Sequence, residues 1–110
     1  MKNDRTFTKE TIFFILLFIA NTAFSQTGVI TGTVIDSYDK ASLPGASVYI
    51  KAISKGASTD LNGKFVLPGV PLGENTLQIS YVGYKTIDID IDVYAELGND
   101  LGTIELELEA

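Results

Sequence analysis

The chain has 110 residues, no cysteine, no histidine and a formal charge of −6 at neutral pH. That length holds at most one ordinary domain, and the two missing residue types exclude thiol nucleophiles, imidazole bases, Cys- or His-ligated zinc and haem, disulfide staples and histidine pH switches. Residues 26–110 carry five lysines against twelve acidic residues, a net −7, and without clustered Lys or Arg to neutralise phosphates such a body is not a nucleic-acid binder.

The first segment, residues 1–25, has the three parts of a secretory signal peptide. A charged start (Lys2, Asp4, Arg5, Lys9, Glu10) precedes a nine-residue apolar run from Ile12 to Ala20, and Ala23 and Ser25 fit a cleavage site before Gln26. Nine residues span about 14 Å as a helix, well short of a hydrocarbon core of about 30 Å, so no transmembrane span of its own is expected after signal removal. No cysteine follows the apolar run, which excludes a bacterial lipid anchor. The remainder, residues 26–110, is expected to form one domain outside the cytoplasm that is stable without disulfides.

From Thr27 the sequence breaks into short β-prone runs. Gly28 to Asp36 alternates as a strand covered on one face and partly on the other, and Ser37 to Pro44 is turn-rich. Ala46 to Ala52 predicts a second strand with Val48 and Ile50 on one face and Tyr49 and Lys51 on the other. Ala57 to Thr59 and Lys64 to Leu67 flank Asp60-Leu-Asn-Gly63, which predicts a β-hairpin because Asn-Gly supplies the positive φ of a tight turn. Pro68 to Gly73 is predicted as a loop, since neither proline can donate to a ladder. Thr76 to Val82 places Leu77, Ile79 and Tyr81 on one face, and Gly83-Tyr84 breaks the strand.

Thr86 to Val93 shows the cleanest period of two, with Ile87, Ile89, Ile91 and Val93 opposed to Asp88, Asp90 and Asp92. Thr103 to Glu109 repeats it, with Ile104, Leu106 and Leu108 inward and three glutamates outward. Six to eight short strands, seven as the central expectation, with no helix-period segment describe an all-β, antiparallel β-sandwich.

Four motifs, in this order and spacing, resemble the carboxypeptidase regulatory-like domain. They are Gly32-Thr-Val-Ile-Asp36, Leu43-Pro-Gly-Ala-Ser-Val48, Gly56-Ala-Ser-Thr-Asp60-Leu-Asn-Gly-Lys-Phe65 and Leu77-Gln-Ile-Ser-Tyr-Val-Gly-Tyr84, and the likeness covers Gly28 to Leu108. The resemblance implies a transthyretin/prealbumin-like sandwich. Behind a signal ending in Phe-Ser-Gln it also implies the periplasmic amino-terminal extension of a TonB-dependent outer-membrane receptor of Bacteroidetes-type bacteria. Each motif has a local reading as well. Pro44-Gly45 turns the chain into the second strand, the Asp60 carboxylate accepts backbone N–H bonds in an Asx-type turn, and Tyr81 and Tyr84 bracket a glycine so that one ring packs in the core. A plug and a barrel, each strand of which needs about 9 to 11 residues, do not fit in 110 residues, so a receptor fragment or truncated form is expected; the alternative is a free-standing periplasmic carbohydrate- or protein-binding sandwich.

No catalytic residue, cofactor or metal is expected. Asp88, Asp90 and Asp92 suggest a calcium stripe, but same-face neighbours on a strand lie about 6.6 to 7 Å apart, too far for all three to close on one ion; a solvated face that discourages aggregation is the better reading. Asp60-Leu-Asn62-Gly63 lacks the remaining ligands of an EF-hand. Transthyretin-like hydrolases use histidines, which are absent, and an isopeptide bond of the kind found in related sandwiches needs a first-strand lysine that Gly28 to Ile35 does not supply. If the two acidic strands were neighbours their outer faces would repel, so either Lys51, Lys64 or Lys85 is expected nearby or the strands lie on different sheets. What remains is binding. Tyr49 and Tyr94 are the candidate surface residues for a glycan or a protein, an exposed strand edge is a candidate for accepting another strand, and the expected partners are a receptor barrel or another periplasmic protein.

Overall fold

The computed structural model describes residues 26–95 and 98–110, so the signal segment expected at residues 1–25 lies outside the described residues. Seven strands run in chain order: β1 (Thr27–Asp36), β2 (Ser47–Ile50), β3 (Lys55–Ser58), β4 (Lys64–Pro71), β5 (Gly73–Ser80), β6 (Ile87–Val93) and β7 (Asn99–Leu106). They form a three-stranded sheet, β4-β1-β7, and a four-stranded sheet, β3-β2-β5-β6.

The sandwich expected from the alternating pattern is present, and its pairs are antiparallel with one exception. β7 runs parallel to β1, from Ile30 opposite Asn99 to Asp36 opposite Leu106, with a register shift between Thr31 and Thr33. Parallel neighbours need a long crossover, and here the whole of the second sheet lies between them in sequence, a separation invisible to local periodicity.

The core is one apolar layer between the sheets. Ile30, Val34, Phe65, Leu67, Val70, Ile104 and Leu106 enter it from the three-stranded side, and Val48, Ile50, Leu77, Ile79 and Val93 from the other. Leu43 and Ala46, from the turn that leads into β2, complete it. Gly32 faces this layer opposite Phe65, and a Cβ at Gly32 would stand 2.7 Å from the ring, so the missing side chain is what admits the largest residue of the core.

Two expectations about loops are corrected. The tight turn at Asp60 to Gly63 joins β3 to β4, which lie in different sheets, so it is a corner between layers and not a hairpin. Its turn chemistry is as expected, since Asp60 Oδ1 accepts from the N–H groups of Asn62 (2.8 Å) and Lys64 (2.9 Å). The hairpin lies one step earlier, between β2 and β3, across a 3₁₀ turn at Lys51–Ile53 and Ser54 at φ 51°. Its turn carries no Gly, Pro, Asn or Asp, and Ser54 is the one usual turn residue in it.

Pro68 to Pro71 is strand, not loop. β4 is an edge, and both prolines are tolerated there because Pro68 falls at a bulge, where the pairing steps from Ile30–Leu67 to Gly28–Val70, and Pro71 ends the strand.

The corner is held to the turn before β2 by a buried hydroxyl. Thr59 Oγ1 accepts from Ala46 N–H at 2.8 Å and donates to the Leu43 carbonyl, while the backbone N–H groups of Gly45 and Thr59 donate to Thr59 O and Ala46 O. Two motifs read separately in the sequence are thus one packed unit. Gly63 closes it at φ 78°, with its carbonyl accepting from Val34 N–H at 2.7 Å; a Cβ at Gly63 would sit 2.5 Å from Val34 O.

Both penalties act at Gly63, whereas Gly45 at φ 83° has open space around it. Gly63→Ala is therefore expected to lower stability by about 2–4 kcal/mol and Gly45→Ala by about 1 kcal/mol, read from urea unfolding midpoints; equal losses would contradict the close approach at Val34.

Candidate binding surface

The outward residues of β5 and β6 pair across the outer face of the four-stranded sheet as Glu74–Asp92, Thr76–Asp90 and Gln78–Asp88. Lys51 and Ala52, from the 3₁₀ turn, wall one side of this face and make it an open groove of about 950 Å³. Thr76 Oγ1 donates to Asp90 Oδ1 at 2.8 Å and Tyr94 Oη to Asp92 Oδ2 at 3.3 Å, so two of the three aspartates are already engaged with neighbours. The groove offers carboxylates, amides, one hydroxyl and one ammonium. It suits hydrogen bonding to a polar or cationic surface.

Among the described residues no three acidic side chains converge closely enough to hold a metal ion. β6 and β7 lie in different sheets, which separates the two acidic faces as one of the two expectations required. The lysines also appear near carboxylates: Lys51 in the groove, Lys85 Nζ 3.5 Å from Glu107 and Lys40 Nζ 3.1 Å from Glu105. Both ion pairs are exposed and contribute little.

The structure places Tyr49 and Tyr94 on the same sheet but not in one patch. Tyr49 is half-buried, opposite Gly56 and Gln78, and its ring covers Gly56 so closely that a Cβ there would lie 2.8 Å from Cδ1. Tyr94 is 62% exposed just beyond β6, where its backbone N–H donates to Asn99 Oδ1 at 2.9 Å. Along β5 from Gln78 to Gly73 the two positions are offset by about 17 Å, and they stand on opposite sides of that strand, too far for one sugar ring to bridge. Leu108, expected inward, is 61% exposed: β7 ends at Leu106, and beyond it Leu108 bridges Tyr84 instead of continuing the ladder with β1.

One polar pair escaped the sequence reading. Asp36 ends β1 with its side chain buried, and its Oδ2 accepts from Tyr84 Oη at 2.6 Å while Oδ1 accepts from the N–H groups of Tyr38 (2.6 Å) and Asp39 (3.0 Å). The bond joins the end of the first sheet to the turn between β5 and β6 on the second. Tyr84 packs on Tyr81 with ring centroids 5.5 Å apart and planes inclined at 55°. The Tyr84 hydroxyl, and then the N–H groups of Asp39 and Tyr38, hold the Asp36 carboxyl below its ordinary value. The same bond, with burial second, pushes Tyr84 up to about 12. Forty-eight residues separate the partners, so no local pattern announces them; the sole signal was an acid closing an otherwise apolar alternation.

The two packed sheets define a β-sandwich domain, and known structures share its architecture. A chain of the type II cohesin–X-dockerin complex of Acetivibrio cellulolyticus is 24% identical, with a TM-score of 0.55 over 70% of this chain and 53% of that one. The Bacillus anthracis TIE protein is 18% identical, with a TM-score of 0.57 over 76% of this chain and 17% of that one. BcpA, the major pilin subunit of Bacillus cereus, is 20% identical, with a TM-score of 0.54 over 76% of this chain and 31% of that one.

The chain belongs to the family described as the CarboxypepD_reg-like domain, whose sequence pattern matches residues 30–109. It is similar to three proteins of Formosa agariphila. TonB-dependent receptor P3 is 30% identical over 108 residues, covering 98% of this chain and 11% of the receptor. Receptors P39 and P26 are 31% and 37% identical over 93 and 82 residues, covering 83% and 69% of this chain and 9% and 8% of theirs. The chain thus spans about a tenth of the length of the curated relatives it matches.

The Asp36–Tyr84 bond needs a carboxylate and a phenol, which sets a two-sided pH window. The lowered carboxyl contributes stability above about pH 4 that is lost as the pH falls through its folded value; the raised phenol contributes below about pH 10 and loses its contribution as the pH rises toward 12. Tyr84→Phe is expected to lower the urea midpoint relative to the parent between those limits, with the difference shrinking beyond each. A difference that does not change with pH would show that the bond is absent.

Proposed function

We propose that the chain is a non-catalytic interaction module of the cell envelope, the periplasmic domain associated with a TonB-dependent receptor. The observation that carries this reading is the match to receptor P3 over 98% of the chain, which takes in the amino-terminal apolar segment as well as the sandwich. Residues 1–25 act as the export signal, and residues 26–110 as a scaffold in outer-membrane nutrient uptake. The chain spans about a tenth of the length of the receptors it matches, so the reading concerns this domain of such a receptor. The outer face supports the binding reading, because it is an open surface of carboxylates, amides, a hydroxyl and an ammonium, with Thr76 and Gln78 opposite Asp90 and Asp88.

Export is tested by expressing the chain in a Bacteroidetes-type host and fractionating the cells. The expected product begins at Gln26 and is found in the periplasm or with the outer membrane; an intact Met1 in the cytoplasm sinks the reading. The DNA beyond the codon for Ala110 tests the receptor link, a continuation into a plug and a barrel supporting it and an unrelated gene counting against it.

A second reading, a free-standing carbohydrate- or protein-binding sandwich, is favoured by the groove and by the exposed ring of Tyr94 at its end. A glycan array probed with the parent, Tyr49→Ala and Tyr94→Ala proteins decides the glycan arm. Enrichment that Tyr94→Ala lowers about tenfold is the expected result for an aromatic contact, and no enrichment by the parent removes it.

A further inference from the structure

The two sheets have four edges, and three are blunted. β3 is four residues long, β4 carries two prolines and a bulge, and β7 breaks register near Gly102. β6 differs: it is seven residues of unbroken alternation without proline or bulge, and among the described residues it pairs only with β5.

The same side of the sandwich is apolar and incompletely closed. β6 and β7 are tied at both ends, by Tyr94 N–H to Asn99 Oδ1 and Asn99 Nδ2–H to Tyr94 O (both 2.9 Å), and by Lys85 N–H to Glu107 O (2.9 Å). Between these ties no ladder joins them, and Ile87, Ile89, Ile91 and Leu101 remain half-buried against the core. Unpaired backbone groups therefore run beside an unfinished apolar row, the two things an added strand supplies.

We infer that the free edge of β6 accepts an extended segment of a partner protein in which Lys or Arg alternates with apolar residues. The apolar positions would cover the Ile87-Ile89-Ile91 row, and the cationic ones would stand beside Asp88, Asp90 and Asp92 on the outer face, where cross-strand opposite charges attract. Charge also selects the occupant. A second copy of this chain would set its aspartates beside these, which like-charge repulsion disfavours. The inference deepens the interaction-module reading and rests on it, adding the edge and the chemistry of the partner.

The probe is a synthetic octapeptide alternating Lys and Val, titrated into the 110-residue chain with amide hydrogen exchange followed by NMR. Binding is expected to slow exchange at least about tenfold at the β6 amides that do not bond to β5, and to spare the β4 edge. An analogue N-methylated at every second residue keeps the charge but cannot complete a ladder, and is expected to bind at least about tenfold more weakly, as is a Glu-Val peptide. Reversing the three exposed aspartates (Asp88→Lys, Asp90→Lys, Asp92→Lys) is expected to exchange the preference to the Glu-Val peptide. Equal binding of the N-methylated peptide would show attraction by charge alone and overturn the inference. So would protection away from β6 or no binding at millimolar peptide. None of these outcomes bears on export or on the receptor link, which the fractionation and the downstream sequence test separately.

Discussion

A domain with neither disulfide nor described metal cluster has one means of holding seven short strands together, a shared apolar layer that both sheets must fill in register. Fourteen apolar side chains are buried in it among the described residues, and no single strand contributes more than three. Period-two alternation is therefore a constraint on every strand at once, because a one-residue slip would turn its apolar set toward water. The Gly32–Phe65 pair shows how narrow the tolerance is. The ring occupies the place of a side chain on the neighbouring strand, so that pairing and packing specify each other.

Polar groups at the ends of the layer complete what the layer leaves open. Thr59 joins the corner at Asp60 to the turn before β2, and Asp36 joins the end of β1 to the turn after β5. Among the described residues no buried side-chain polar atom lacks a partner, which is the condition under which such groups can sit in a core this small. Sheets of three and four strands cannot cover one another evenly. The shortfall falls on the β6 side, where the isoleucine row is half covered and the outward face is protected by charge instead. The acidity of the chain thus has a place in the fold: three aspartates guard the long regular edge, and the glutamates of the carboxy-terminal run stand on the other sheet and on the segment after it.

Strand existence was legible wherever apolar and polar residues alternated, as in Val48-Tyr49-Ile50 and Leu77-Gln78-Ile79, whose inward members are all buried. Turn chemistry at Asp60 and Gly63 was legible too, since Asx turns and positive φ are decided within four residues. The layer to which each strand belongs was not. Asp60 to Gly63 has the local form of a hairpin turn, and only the pairing of β4 with β1 makes it a corner. Proline reads locally as a ladder breaker, and only the sheet order makes β4 an edge, where the lost donor costs little. Of the two candidate surface tyrosines, Tyr94 is exposed, while Tyr49 spends its face on Gly56, a cross-strand neighbour that spacing does not reveal.

The chain belongs to the CarboxypepD_reg-like domain family and is similar to TonB-dependent receptors over about a tenth of their length, and the apolar layer is what gives that shared domain its form. Among the described residues the sandwich displays an open polar groove and the long regular edge of β6. The central physical claim is that β6 is an edge strand whose outer backbone groups are open to water. Native-state hydrogen exchange of the free protein tests it most directly. Slow exchange throughout β1 and β5, with alternating slow and fast amides along Ile87 to Val93, is the predicted result; uniformly slow exchange along β6 would show that the edge is already covered and would contradict the claim.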